Sequence, residues 1–148
     1  MPLIPFEDRF ALQDLMTAYC CAVDDLKGGN APLLDLFTED AVLDLSDIGL
    51  PLMNGIADYK PFFDGVFADM SHHQHYTTNF RIGAYDEYTA SIYSHVHGLG
   101  LAKDGVEVDV HVRYRMDCVK RDNRWKIKTY WIFAAMPPPA SLSLLHAQ

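Results

Sequence analysis

Three histidines fall within four positions of "HHQHYTTN", residues 72–79, at the start of a run that alternates like a strand. Imidazole changes charge near neutral pH, so such a cluster can supply a general base, a proton relay or metal ligands. A second pair, His95 and His97, lies in "SHVHG". Paired His-x-His segments on neighbouring strands can build a metal site, with nitrogens about 2.0–2.1 Å from the ion. Neither pair is followed three or four residues later by a carboxylate, and no cysteine stands nearby. The histidines are therefore read as holding no metal, with solvated or core-capping roles for most of them.

The carboxylate best placed to work with an imidazole is Asp24. Between Phe6 and Lys27 the apolar residues Leu12, Leu15, Met16, Tyr19, Cys20, Val23 and Leu26 recur at helical spacing, and "KGGN" supplies the stop. Asp24 falls at the edge of that stripe, whereas Asp14 and Asp25 point away from it. It also sits in the last helical turn, where the helix dipole disfavours an anion, so a cationic partner would benefit it most. An imidazolium suits this need; a helix-end carboxylate accepting a backbone or arginine hydrogen bond is the alternative.

Other elements position these two groups. "APLLDLF" reads as a short helical turn, "AVLDLSD" as a strand, and "GLPLMNG" as a turn with a second short strand. "DYKPFFDGVFADM" reads as a second helix, capped by Asp58 with Pro61 in its first turn. From residue 72 the period changes to two. Four strands, at about 72–83, 88–101, 105–120 and 124–135, are separated by "AYDE", "KDG" and "RDN", which predicts an antiparallel meander. Helices followed by a long sheet give an α+β fold. Residues 1–148 read as one domain, since about 150 residues bury roughly 70% of their unfolded surface. The tail from about 136, "MPPPASLSLLHAQ", reads as extended, with Leu142, Leu144 and Leu145 packing over a surface or pocket mouth, or else frayed.

Composition removes several function classes. With 12 Lys and Arg against 20 Asp and Glu, the net charge is −8, and no basic face for nucleic acid is expected. No apolar run approaches the roughly 18 residues of a membrane span, and the N-terminus lacks a signal-peptide pattern, so a cytoplasmic location is expected. Three cysteines, two of them adjacent, form no disulfide framework.

In order and spacing, "LQDLMTAYCCAVDD", "LLDLFTEDAVLDL", "HHQHYTTNFRI" and "RYRMDCVKRDNRWKIKTYWI" resemble the SnoaL-like branch of the nuclear transport factor two-like superfamily. Within it, the chain is similar to the scytalone dehydratase and hexachlorocyclohexane dehydrochlorinase group over about residues 8–135. The resemblance implies a cone-shaped sheet of cystatin type wrapped around the N-terminal helices, a pocket between them, and a homodimer or homotrimer. It also implies an aspartate at the end of the first helix and a histidine on the first long strand, which match Asp24 and His75.

The expected activity is a cofactor-free, dehydratase-type elimination on a small cyclic or polyketide-like hydroxy-carbonyl compound. His75 is the base and Asp24 its support. Asn79, His95, His97 and Tyr19 are the substrate-contact candidates. Two alternatives stay open. One is a ketosteroid-isomerase-like proton transfer, which needs Asp109 or Glu107 in the pocket; the other is a noncatalytic small-molecule-binding module. One feature of the pattern conflicts with the reading. Simple alternation puts His73, His75, Thr77, Asn79 and Arg81 on one face and the more apolar Tyr76, Phe80 and Ile82 on the other. Either both faces are covered, as in an oligomer, or a bulge near Thr77 and Thr78 exchanges them.

Overall fold

The computed structural model describes residues 3–145, apart from the side chain of Ser143. Helix α1 spans Phe6–Asp24 and buries Leu12, Leu15, Met16, Tyr19, Cys20 and Val23, the face expected from their spacing. It stops at Asp24 because the chain turns there: the Asp25 carboxylate accepts the Gly28 N–H at 3.1 Å. After α2 (Ala31–Leu34), strand β1 (Phe37–Asp44) and a 3₁₀ turn (Ser46–Ile48) lead into β2 (Leu52–Asn54).

Helix α3 spans Ile56–Asp69 and so begins before Asp58, the expected cap. Gly55, at φ 78°, takes the left-handed backbone that turns β2 into the helix, a conformation glycine adopts without steric cost. Asp58 lies in the first turn and accepts the Asn54 N–H at 2.9 Å, while Pro61 is inside the helix.

Four long strands follow: β3 (Met70–Tyr85), β4 (Thr89–Ala102), β5 (Glu107–Arg121) and β6 (Arg124–Ala134). They form the expected antiparallel meander, with β1 added parallel to β6 and β2 antiparallel to β1. The result is a curved, unclosed mixed sheet in the order β2-β1-β6-β5-β4-β3. Its inner face, including Ile92, Val96, Val112, Tyr114, Met116 and Tyr130, packs on α1 in the main core. Among the described residues no helix is long and apolar enough to cross a membrane, and Cys20, Cys21 and Cys118 are free thiols.

A bulge resolves the conflict over the faces of β3. Thr78 pairs with His95 and Arg81 with Tyr93, so β3 carries one residue more than β4 between these pairs. Asn79, at φ 55°, absorbs it; asparagine tolerates the left-handed region better than most non-glycine residues. The faces exchange at this point. His73, His75 and Thr77 point inward before the bulge, and Phe80 and Ile82 point inward after it.

The tail is not simply extended. Ala140–Leu144 form a 3₁₀ turn that drops Leu142 into the main core. Leu145 joins Val66, Met70 and Ala102 in a smaller cluster, and Leu144 is exposed.

Candidate active site

The end of α1 is fastened to β3 by three hydrogen bonds, and these build the site. The Asp24 carboxylate lies 2.6 Å from His75 Nδ1 through Oδ1 and accepts the His75 backbone N–H at 2.8 Å through Oδ2. His73 Nδ1 lies 3.0 Å from the Val23 carbonyl oxygen. That carbonyl is among those a helix C-terminus leaves without an intrahelical partner, so His73 serves also as a cap.

Because a carbonyl can only accept, His73 carries its proton on Nδ1; against an ionised carboxylate the same holds for His75. In each ring Nε2 is then the basic nitrogen. The Asp24 and His75 side chains are 17% and 14% exposed, enough for a substrate to approach but too little for bulk water to surround the pair.

Both imidazoles line a cavity of about 100 Å³ between the sheet, α1 and α3. Its other walls are largely apolar, among them Val23, Phe62, Phe63, Val110 and Ile132, and Leu142 of the tail closes one side. Tyr19 and Tyr114 are the phenols on the lining, their rings edge-on at 5.7 Å. Burial pushes both hydroxyls well above the ordinary tyrosine pKa, so each is a neutral hydrogen-bond donor. The Cys20 thiol is pushed up to about 12, by burial first and then by the Asp24 charge, so it supplies no thiolate nucleophile.

Opposite the two rings, β4 carries glycine. Gly98 pairs with His75 and Gly100 with His73. A Cβ at Gly98 would lie 3.3 Å from His75 Cδ2 and 3.1 Å from Val110 Cγ2; one at Gly100 would lie 3.3 Å from His73 Cδ2. The two glycines thus make room for the two imidazoles. Glycine inside a strand marks such close approaches, so "HGLG" in the sequence held this signal.

The structure brings His75 and Tyr19 to one cavity, with Asp24 bonded to His75 from behind the lining, and adds His73, Tyr114, Gly98 and Gly100. It sends the other candidates elsewhere. Asn79 sits on the exposed bulge, its side-chain nitrogen 3.2 Å from His95 Nδ1, and does not share the His75 face. His95 and His97 point outward from β4, because Ser94, Val96 and Gly98 take the inner positions. Asp109 and Glu107 are likewise outward and exposed on β5, where Val108 and Val110 face in, so no carboxylate base enters the cavity from β5. The four histidines of the two His-x-His segments are thus split between opposite faces of the sheet.

The chain matches the SnoaL-like domain over residues 5–130. No match was found among curated proteins. Among solved structures, a protein named an aromatic ring hydroxylase from Novosphingobium aromaticivorans is 46% identical, with 93% of this chain and 95% of that one covered and a TM-score of 0.87. A protein named scytalone dehydratase from N. aromaticivorans DSM 12444 is 22% identical, covering 87% and 85% at a TM-score of 0.77. Hexachlorocyclohexane dehydrochlorinase from Novosphingobium barchaimii LL02 is 21% identical, covering 90% and 91% at a TM-score of 0.74. The last two likenesses speak for the fold. The chain belongs to the SnoaL-like domain family, within the nuclear transport factor two-like superfamily.

Proposed function

We propose that the protein is a lyase that eliminates water from a small cyclic hydroxy-carbonyl compound. The observation that carries this is His75 on the wall of an apolar cavity, held from behind by Asp24 at 2.6 Å. A ring seated there presents the C–H beside its carbonyl to His75 Nε2. The C–H bond breaks, its proton passes to Nε2, and Asp24 holds the imidazolium by charge and orientation. A C=C bond forms as the C–O bond at the β-carbon breaks, and the departing hydroxide takes a proton from the imidazolium to leave as water.

Tyr19 and Tyr114, neutral phenols on the same lining, are the donors we assign to the carbonyl as its oxygen gains charge. The His73 ring, 5.4 Å from that of His75 between centroids, is the neighbour for the departing hydroxyl. Apolar walls strengthen each of these interactions by keeping water out. Every proton transfer is made by a side chain of this protein, so the step needs no added oxidant or cofactor.

The name of the 46% identical relative speaks for aromatic-ring compounds as the substrate class. Loss of water from a hydroxylated alicyclic ring generates a conjugated or aromatic ring, so that substrate class fits elimination too. The test is a panel of cyclic β-hydroxy-ketones followed by ultraviolet absorbance of the conjugated product, run with and without oxygen and a reduced nicotinamide. Turnover without oxygen or reductant, abolished in His75→Ala, is expected. Turnover only with both would replace elimination by hydroxylation, and binding without turnover of any compound would leave a small-molecule-binding module.

A further inference from the structure

The outer face of the sheet carries a second histidine cluster, which the elimination does not use. His97 on β4 and His111 on β5 are direct cross-strand partners, with rings stacked at 4.3 Å and 13°. Asp109, two residues before His111 and so on the same face, reaches across the strands. Its Oδ1 lies 2.7 Å from His97 Nε2 and 3.6 Å from His111 Nε2. Two ring nitrogens and one carboxylate oxygen therefore converge within 4.8 Å of one another. Converging lone pairs repel unless a cation lies among them. A proton serves one pair at a time, whereas a divalent ion serves all three donors.

We infer that His97, Asp109 and His111 form a binding site for a transition-metal ion of the Zn²⁺, Ni²⁺ or Cu²⁺ class, with water completing the coordination. Two imidazoles and a carboxylate suit these ions, while Mg²⁺ and Ca²⁺ prefer sets made of oxygen. With bonds of about 2.0–2.1 Å, tetrahedral ligands stand roughly 3.3 Å apart. The 3.6 Å separation is close to this, and the 2.7 Å contact must lengthen by about half an ångström as the ion displaces the shared proton.

The rings must also tilt out of their stack so that both nitrogens point at the ion. Their side chains are 39% and 54% exposed, so tilting meets solvent and not packed core. The β4–β5 ladder, paired from Thr89 with Val119 to Leu101 with Glu107, holds the three backbone positions in place. An ion here would tie β4 to β5 behind the cavity wall formed by Gly98 and Val110, without touching His75 on the inner face.

The experiment is calorimetric titration of tag-free protein with Zn²⁺ and with Ni²⁺, together with melting curves and the visible spectrum of the Co²⁺ complex. One ion per chain at micromolar affinity, a raised Tm, and a Co²⁺ spectrum typical of nitrogen ligation are expected. His97→Gln and His111→Gln should each weaken binding at least about tenfold, the loss expected even for a group that merely supports a ligand. Asp109→Asn should weaken it as well, and His72→Gln should bind as the parent does. Melting in EDTA shows whether each variant is folded. Binding undiminished in the His97→Gln/His111→Gln double variant, binding lost in His75→Ala instead, Mg²⁺ bound as tightly as Zn²⁺, or no binding at millimolar metal would each overturn the site.

Discussion

Replacing Gly98 by alanine tests whether the floor beneath His75 is part of the site. The added Cβ would meet Val110 Cγ2 at 3.1 Å, His75 Cδ2 at 3.3 Å and His75 Nε2 at 3.4 Å. Contacts this tight ask a neighbour to yield by a few tenths of an ångström. His75 cannot yield toward α1, because Asp24 already holds it by hydrogen bonds of 2.6 and 2.8 Å. The ring must therefore pivot, which moves Nε2 relative to the substrate. A misplacement of 1 Å can cost about 10²-fold in rate, so a few tenths should cost roughly three- to tenfold in kcat. Stability should barely change, because alanine in a strand recovers about 0.5–1 kcal/mol relative to glycine and offsets the crowding. Gly100→Ala is the comparison: its Cβ meets Met70 Cε, the end of an unbranched side chain, at 2.6 Å and His73, not His75, so kcat should fall less. The assay is kcat for the best substrate of the panel, with thermal melting alongside. Wild-type kcat in Gly98→Ala, or an equal loss in both variants, would refute the packing argument.

Further expectations concern stability, the cavity and metal dependence. Asp8, 6% exposed, accepts hydrogen bonds from Tyr85, from Lys120 at 2.9 Å and from Trp125 at 3.0 Å, so Asp8→Ala should cost of order 3 kcal/mol by stranding Lys120, a fall of roughly 6–12 °C in Tm. Burial opposes the Asp8 charge, but these donors outweigh it and lower its pKa; its stabilisation is therefore present above the unfolded carboxylate pKa of about 3.9 and lost as pH falls through the lower folded value. Acid titration of Tm should show a shallower acid limb in Asp8→Asn, and an unchanged limb would count against this. The cavity, at about 100 Å³, is smaller than the roughly 150 Å³ that holds benzene, and the tail at Leu142 is the wall expected to yield to a ring substrate. Leu142→Ala should cost about 2 kcal/mol yet bind phenol more tightly by calorimetry, and weaker binding would argue against the tail as the yielding wall. Activity should survive prolonged EDTA treatment, whereas loss reversed by added Zn²⁺ would assign the metal to the reaction.

Much of the architecture was legible because it rests on periodicity. The 3.6-residue pattern of α1 and the period-two runs of β3 to β6 gave those elements nearly to their ends, since each buries one face. The parallel docking of β1 on β6 is a long-range pairing with no local signature. The face of His75 was ambiguous for a physical reason: one inserted residue at Asn79 exchanges the sides of β3, and its position depends on the register with β4. That same insertion removed Asn79 from the His75 face, while plain alternation on β4 turned His95 and His97 outward. Helix phase and the dipole, both local, singled out Asp24 as a carboxylate in want of a cationic partner, the resemblance pointed to His75 as that partner, and the structure shows the contact between them. His73 was passed over because a histidine bonded to the Val23 carbonyl looks in sequence like any strand histidine; only the docked helix end shows what it holds.

The central claim is that Asp24 and His75 act as one proton-transfer unit, and kcat measured for four variants under one set of conditions tests it most directly. His75→Ala should lose the general-base contribution of about 10²–10⁴-fold, and Asp24→Asn should also fall strongly, since it keeps the shape but removes the charge. The double variant should sit near the worse single one, because groups acting as a unit are not additive. Asp25→Asn should match the wild type, its exposed carboxylate being bonded only to the Gly28 turn in the hydrogen bonds described. Normal turnover by His75→Ala, or an Asp25→Asn loss as deep as that of Asp24→Asn, would contradict the account.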